Sequence, residues 1–426
     1  LNANKTLSFN AATFEGLTIA NLEVTTFTAI ITDKAGNVTT GTQSTTTITF
    51  DETAPTITSV APSASSFVKV ADIGYTLSEA IASGTVTYTR TSGSADSGSP
   101  HTQSLSGTEL NTGARSLAAL ASAPTLVDGA VYTITFNATD AAGNAATAVS
   151  VTNVTFDTTA PVISSVAPSA SSIVKVADVG YTLSEAIASG TVTYTRTGGS
   201  ADGSPHTQSL SGTELNTGAR SLAALASAPT LVDGAVYTIT FNATDAAGNA
   251  ATAVSVTNVT FDTTVPTFLS ASYYDTNSDG NIDEIVVRLD EAVDDTSVDF
   301  SDFTLGSGAT VDGFSAAVFG LSANIEDVAD NDEFITLEVS VTGTANVTLD
   351  YTDNNTGNDL SDIAGNNAAT ASITTLTDKA LPVITNALWQ DDDANGNLDR
   401  VVLTFSEAAT ISDGNGGDGF GAILIN

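Results

Sequence analysis

Apolar and polar residues alternate along this chain with a period of two. In ADIGYTLSEA, Ile73, Tyr75 and Leu77 are separated by small or polar residues, and in GAVYTITFNATD the set Tyr132, Ile134, Phe136 and Ala138 follows the same rule. A period of two puts every second side chain on one face of a strand, so these runs predict half-buried β-strands. Thr and Val dominate the runs, and Gly, Asp, Asn and Ser mark the turns between them. No stretch keeps a convincing helical period, and SLAALASA, from Ser116 to Ala123, is the one ambiguous run. The pattern predicts an all-β chain.

The alternation is organised in repeats. The segment beginning APTITSVAPSASS at Ala54 returns almost unchanged from Ala160, and His101 to Thr159 recurs without substitution from His206 to Thr264, a repeat of about 105 residues. Each unit closes with a D-x-A-G-N turn, at Asp33, Asp140, Asp245 and Asp362, followed by a linker: DETAP, DTTAP, DTTVP or DKALP. The linker prolines, Pro55, Pro161, Pro266 and Pro382, fix φ and stiffen each junction. These marks divide the chain into units 53–158, 159–263 and 264–379, with 1–52 reading as the second half of a unit and 380–426 as the first half. Length and strand spacing fit a sandwich of two antiparallel sheets with about seven strands per unit.

Composition narrows the partners. The chain has 426 residues, 41% of them hydrophobic, which is enough to fold. Only 11 Lys and Arg stand against 48 Asp and Glu, a net charge of -37, so nucleic acid is excluded as a partner and cations are the natural one. With no Cys there is neither a disulfide framework nor a thiolate metal site. No apolar run approaches the roughly 18 residues that read as a membrane span, so no membrane insertion is expected within this segment. The opening at Leu1 reads as a piece of something longer.

Strand parity shows where the carboxylates converge. Leu77 faces the core, so Glu79 keeps the inward direction, and Ala138 does the same for Asp140. An uncompensated carboxylate in an apolar interior is prohibitively costly, so both must lie at the mouth of the sandwich, where the linker residue Asp51 enters. The same triplet recurs as Asp157, Glu185 and Asp245. In the third unit, EIVVRLDEA places Ile285, Val287 and Leu289 inward and Glu291 at the mouth, beside the linker residue Asp262. The longer connection DYTDNNTGNDLSDIAGN leaves Asp353 or Asp362 as the third member, with Asp362 preferred. Carboxylates this close repel one another unless a hard cation with oxygen ligands reverses the sign.

A second cation pattern lies in two turns. DTNSDGNID places Asp275, Asn277 and Asp279 at alternate positions, with Gly280 for the sharp turn, a backbone carbonyl at Asn281, and Asp283 to close the loop. DDDANGNLD repeats the spacing as Asp391, Asp393, Asn395, Asn397 and Asp399, and each stretch begins 9 residues after a linker proline. Both precede a strand and should form the turn of a hairpin. The spacing resembles the D-x-D-x-D-G-x-x-D calcium hairpins of integrin-type propellers and the first part of an EF-hand loop. Val286 stands where the EF-hand has its bidentate Glu and no helices flank the loop, which argues against a helical EF-hand.

The run DGAVYTI, Asp128 to Ile134, is similar to the D-x-A-x-Y-x-C run of immunoglobulin strand F, with Tyr132 at the tyrosine corner and Ile134 in the cysteine position. Together with the D-x-A-G-N turns and D-x-T-x-P linkers, the chain resembles the tandem Ig-like repeats of large bacterial adhesins and other surface proteins, including S-layer-like ones. That resemblance implies a tandem array of Ig-like antiparallel β-sandwiches: an extracellular, cell-surface rod stiffened by calcium (Ca2+) and without catalysis. Its expected partners are calcium ions, other copies of itself, or a host or cell-surface ligand. The reading favoured is an adhesin stalk; the alternatives are an S-layer or filament subunit, and the spacer domains of a secreted enzyme. Catalytic chemistry finds little in the sequence. His101 and His206 are copies of one loop residue expected to be an exposed turn, and the single Trp389 offers little sugar-stacking surface.

Overall fold

The computed structural model describes residues 20–21, 23–306, 310–315, 331–341, 347–352 and 359–409. Residues 57–156 form two facing sheets. One has three strands in the order Gly113–Ala118, Ile73–Leu77, Ile57–Ala61, and the other has five in the order Phe67–Val68, Val149–Phe156, Ala130–Thr139, Ser83–Gly93, His101–Ser104. Residues 163–261 repeat this arrangement strand for strand. The architecture is a tandem array of Ig-like antiparallel β-sandwiches.

The alternation seen in the sequence builds the core. Tyr132, Ile134, Phe136 and Ala138 on one sheet are buried, and face Ile73, Tyr75 and Leu77 on the other. The rings of Tyr75 and Phe136 meet with centroids 6.0 Å apart. Such contacts between sheets, with the apolar area they remove from water, hold each sandwich closed. Each of these units has eight strands rather than about seven, because the entering strand is split. Pro62 has no N–H to continue the ladder, and the chain crosses to the other sheet, where Phe67 and Val68 pair in parallel with Thr155 and Phe156. The ambiguous run is a strand as far as Ala118, after which Leu120 inserts into the core.

Tyr132 makes the corner that its sequence context suggested. Its hydroxyl accepts the Val127 N–H at 3.0 Å and donates to Asp96 at 2.8 Å. Tyr237 repeats this with Val232 and Asp202. Replacing Tyr132 and Tyr237 together with Phe should lower the stability of both units by about 1–3 kcal/mol each, since an N–H and a carboxylate lose their partner at a half-buried site. Calorimetric melting of the double variant checks this. Asp96 also corrects an expectation: His101, foreseen as an exposed turn residue, is half-buried with Nε2 2.7 Å from Asp96 Oδ2, and His206 pairs likewise with Asp202 at 2.8 Å. The loop folds back over the sheet because this carboxylate gathers the His and Tyr side chains together.

The third sandwich distributes its strands differently. Its five-stranded sheet runs Thr310–Ser315, Phe334–Val341, Ile282–Leu289, Phe268–Tyr274, Thr377–Asp378, against a three-stranded sheet of Phe303–Leu305, Leu349–Tyr351 and Ala371–Ile373. Here the entering strand does not split: Phe268–Tyr274 turns directly through DTNSDGNID into Ile282–Leu289, with Tyr274 opposite Glu284. Before the first sandwich, Val24–Thr25 pairs with Ile48–Thr49 and Ile30–Thr32 with Val38–Thr40. Alternation in this segment, with Phe27, Ala29 and Ile31 at every second position before Asp33, reads as the inward parity of the corresponding strand in the full units, but Phe27 and Ile31 are exposed. After the third sandwich, Ile384–Gln390 and Arg400–Phe405 form a hairpin around DDDANGNLD. Residues 1–19, 22 and 410–426, on which the half-unit readings partly rest, lie outside the described residues.

Candidate metal centres at the unit junctions

The D-x-A-G-N turn is built by its own aspartate. Asp140 Oδ1 accepts the N–H groups of Gly143 and Asn144 at 2.7 and 2.8 Å, and Oδ2 accepts the Asn144 amide at 2.8 Å. Gly143, at φ +98°, supplies the left-handed position that closes the turn. The Asn144 amide also donates to the backbone carbonyl of Asp51, 2.9 Å away across the linker. Asn249 reaches Asp157 at 2.9 Å and Asn366 reaches Asp262 at 3.0 Å in the same way. These asparagines were not singled out from sequence, although their place at the end of every D-x-A-G-N turn was visible. The exit linker is fixed as well: Asp128 accepts the Thr158 N–H at 2.5 Å and the hydroxyls of Thr159 and Thr158 at 2.7 and 2.8 Å, which holds its carboxyl below the usual range.

This framework brings three carboxylates together at each of three junctions. Asp51, Glu79 and Asp140 have oxygens within 4.8 Å of one another, and so do Asp157, Glu185 and Asp245, and Asp262, Glu291 and Asp362. The aspartate of the turn is buried in each case, while the other two members are half-buried. Asp353, the alternative third member, lies outside the described residues.

The electrostatics of the clusters are those of crowded like charges. Burial, then Asp51 and Asp140, push the Glu79 carboxyl up. Glu185 is raised by burial and by Asp157, Asp245 and Asp128. Glu291 is raised most, from 4.5 to about 7, by burial and then by Asp262, Asp362, Asp290 and Asp233. Asp140 moves the opposite way, because its hydrogen bonds from Asn144 and Gly143 outweigh the cost of burial.

One atom sets the third cluster apart from ordinary capped carboxylates. Glu291 Oε1 is buried and has no hydrogen-bond partner among the described residues. A buried carboxylate elsewhere in the chain shows the contrast. Glu109 accepts the N–H groups of Ser106 and Ala121 at 2.7 and 2.9 Å, and lies 3.5 Å from Arg115. A glutamate with a buried, orphaned oxygen, grouped with two more carboxylates, is a ready ligand for a hard cation, and no sulfur ligand is present to favour a softer one.

The two hairpins share one geometry. Asp275 accepts the N–H groups of Asp279 and Gly280, and Asp391 those of Asn395 and Gly396. Asp283 and Asp399 each close the loop on two N–H groups from its start. Asp391, Asp393 and Asp399 bring oxygens within 4.8 Å of one another, in an exposed position. The first hairpin has Asn277 in the place of Asp393, so it offers an amide oxygen where the second offers a carboxylate. Asn281 and Asn397 donate their N–H groups to Asp279 Oδ1 and Asn395 Oδ1. The carboxylates cap the turn while keeping lone pairs for a cation.

Family comparison agrees with this fold. Residues 51–158 match the bacterial Ig-like domain, and residues 128–258 match the bacterial Ig-like domain (group 3). No curated protein matches the sequence. Among solved structures, a tetra-tandem repeat from the extending region of a large adhesion protein aligns at 19% identity over 83% of this chain and 81% of that one, with a TM-score of 0.24. FdeC, an Escherichia coli adhesin, aligns at 12% identity over 75% of this chain and 96% of that one, with a TM-score of 0.28. The FN1–FN3 domains of chicken CNTN1 align at 11% identity over 56% and 77%, with a TM-score of 0.29. Superpositions this loose across whole chains carry no functional conclusion. Among the described residues, no helix is long and apolar enough to cross a membrane. Across residues 51–258, a little under half of the chain, the sequence is similar to bacterial Ig-like domains.

Proposed function

We propose that this chain is a non-catalytic, extracellular repeat region of a bacterial cell-surface adhesin, a stalk whose junctions are made rigid by calcium. The observation that carries the reading is the orphaned Glu291 Oε1 among three carboxylates that span one linker. A cation there ties three elements together: the linker through Asp262, the strand end through Glu291, and the D-x-A-G-N turn through Asp362. Calcium suits the set better than zinc or magnesium. It takes six to eight oxygen ligands at about 2.3–2.6 Å in flexible geometry, whereas zinc prefers nitrogen and sulfur and magnesium demands a tight octahedron. Millimolar calcium outside cells matches weak sites of this kind, with dissociation constants on the order of 10⁻⁴ to 10⁻³ M. The hairpins at Asp275–Asp283 and Asp391–Asp399 would take calcium in the same range.

Direct titration tests this. Calorimetry of the full chain with calcium should reveal several weak sites, and Glu291→Gln should remove one of them while the sandwich still melts cooperatively. A titration without binding heat, or a Glu291→Gln chain that binds as much calcium as its parent, would count against the proposal.

A further inference from the structure

We propose that Lys69 and Lys175 are clamps between consecutive sandwiches, each holding the D-x-A-G-N turn of the unit that follows. Lys69 comes just after the short strand Phe67–Val68 of the first sandwich. Its Nζ donates to the carbonyl of Gly248, 2.6 Å away, in the turn Asp245-Ala-Ala-Gly-Asn of the second. Lys175 occupies the same place in the second sandwich and donates to Gly365, in the turn Asp362-Ile-Ala-Gly-Asn of the third.

The two contacts agree closely. A Cβ built on Gly248 would lie 3.6 Å from the Lys69 Nζ, and one on Gly365 would lie 3.5 Å from that of Lys175. Both glycines are left-handed, at φ +88° and +85°. The lysine side and the turn motif both recur, but the sandwich that carries the second turn differs from the first in sequence and strand order, so the same contact forms in two different surroundings. In a chain with 11 Lys and Arg, two of them are spent on the same interdomain position.

The clamped turn carries Asp245 or Asp362, and its asparagine grips the linker carbonyl. The lysine adds a third hold, from the body of the preceding sandwich. A charged donor to a carbonyl makes a stronger hydrogen bond than a neutral one, and it needs no metal. The junction after the third sandwich uses packing instead. Gly280, at the tip of the DTNSDGNID hairpin, approaches Val383, Thr385 and Ser406 so closely that a Cβ there would sit 3.0–3.2 Å from them.

The test uses the absence of native cysteine. Spin labels are attached to the full chain through Ser104→Cys and Ser209→Cys, one exposed site on each of the first two sandwiches. The distance distribution is then measured in 10 mM calcium and in EDTA. Lys69→Met should broaden it about twofold in both conditions, with unit melting unchanged, and Lys69→Arg should keep the parental width. A parental width in Lys69→Met, or equal broadening in Lys69→Arg, overturns the clamp. Because the EDTA arm reads the lysine without metal, failure of the calcium reading leaves this test intact.

Discussion

Moving the full chain from 10 mM calcium into excess EDTA is expected to lower its melting temperatures by roughly 5–15 °C. A ligand that binds only the folded state stabilises it by RT ln(1 + [L]/Kd). With dissociation constants of about 0.1–1 mM this amounts to about 1.4–2.7 kcal/mol per site. For a sandwich of this size each kcal/mol moves the transition by about 4–8 °C. The same step should broaden the distribution of angles between sandwiches, because the proposed cation would join linker, strand end and turn. Differential scanning calorimetry and small-angle scattering read the two effects. Curves and profiles that superimpose with and without EDTA would remove calcium from the account.

In EDTA, the unit spanning 264–379 should lose stability as the pH rises from about 4.5 to about 7. Glu291 is raised from 4.5 to about 7 in the folded state, so across that window the folded chain holds a proton that the unfolded chain has released. Its contribution is complete below the unfolded value and is gone above the folded one. Solvent screening at this half-buried site leaves about 1 kcal/mol. Glu79 and Glu185 are shifted in the same direction. Saturating calcium should reverse the slope, because a cation held at the proposed site would bind the ionised carboxylates and be displaced by protons. Melts at pH 5 and pH 7.5, with Glu291→Gln as the chain that cannot titrate there, separate this group from the general repulsion of a net charge of -37. An EDTA slope that is flat, or that survives in Glu291→Gln, would refute the assignment.

How much of this was legible in the sequence depends on range. Parity placed Glu79 two residues beyond buried Leu77, and Asp140 two beyond buried Ala138. The convergence of these carboxylates followed from local alternation plus the cost of burying an unpaired charge, which put both at the mouth where the linker enters. The hairpins were equally local, since their ligand types and glycine are set within nine residues. Contacts between elements far apart in the chain were not legible. Asn144 finds its linker carbonyl 93 residues away, and Lys69 its glycine 179 residues away. Neither periodicity nor spacing reports such distances. The different strand order of the third sandwich escaped for a related reason. A run such as Ile282–Leu289 shows that it is buried, but which neighbours cover it is decided by how the preceding turn directs the chain.

The parallel pairing at the edge of each sandwich bears on mechanics. Phe67–Val68 lies beside Thr155–Phe156, Ile173–Val174 beside Thr260–Phe261, and Ser272–Tyr273 beside Thr377–Asp378. In every case a strand near the start of the unit lies alongside one near its end and points the same way. Tension applied through the two ends of such a unit pulls these partners past each other along their length. The bridging hydrogen bonds are then loaded together in shear, instead of being peeled apart one at a time. Resistance to pulling is governed by the rate of unfolding rather than by equilibrium stability. Each unit therefore holds a pairing that resists extension in shear between a strand near its start and one near its end.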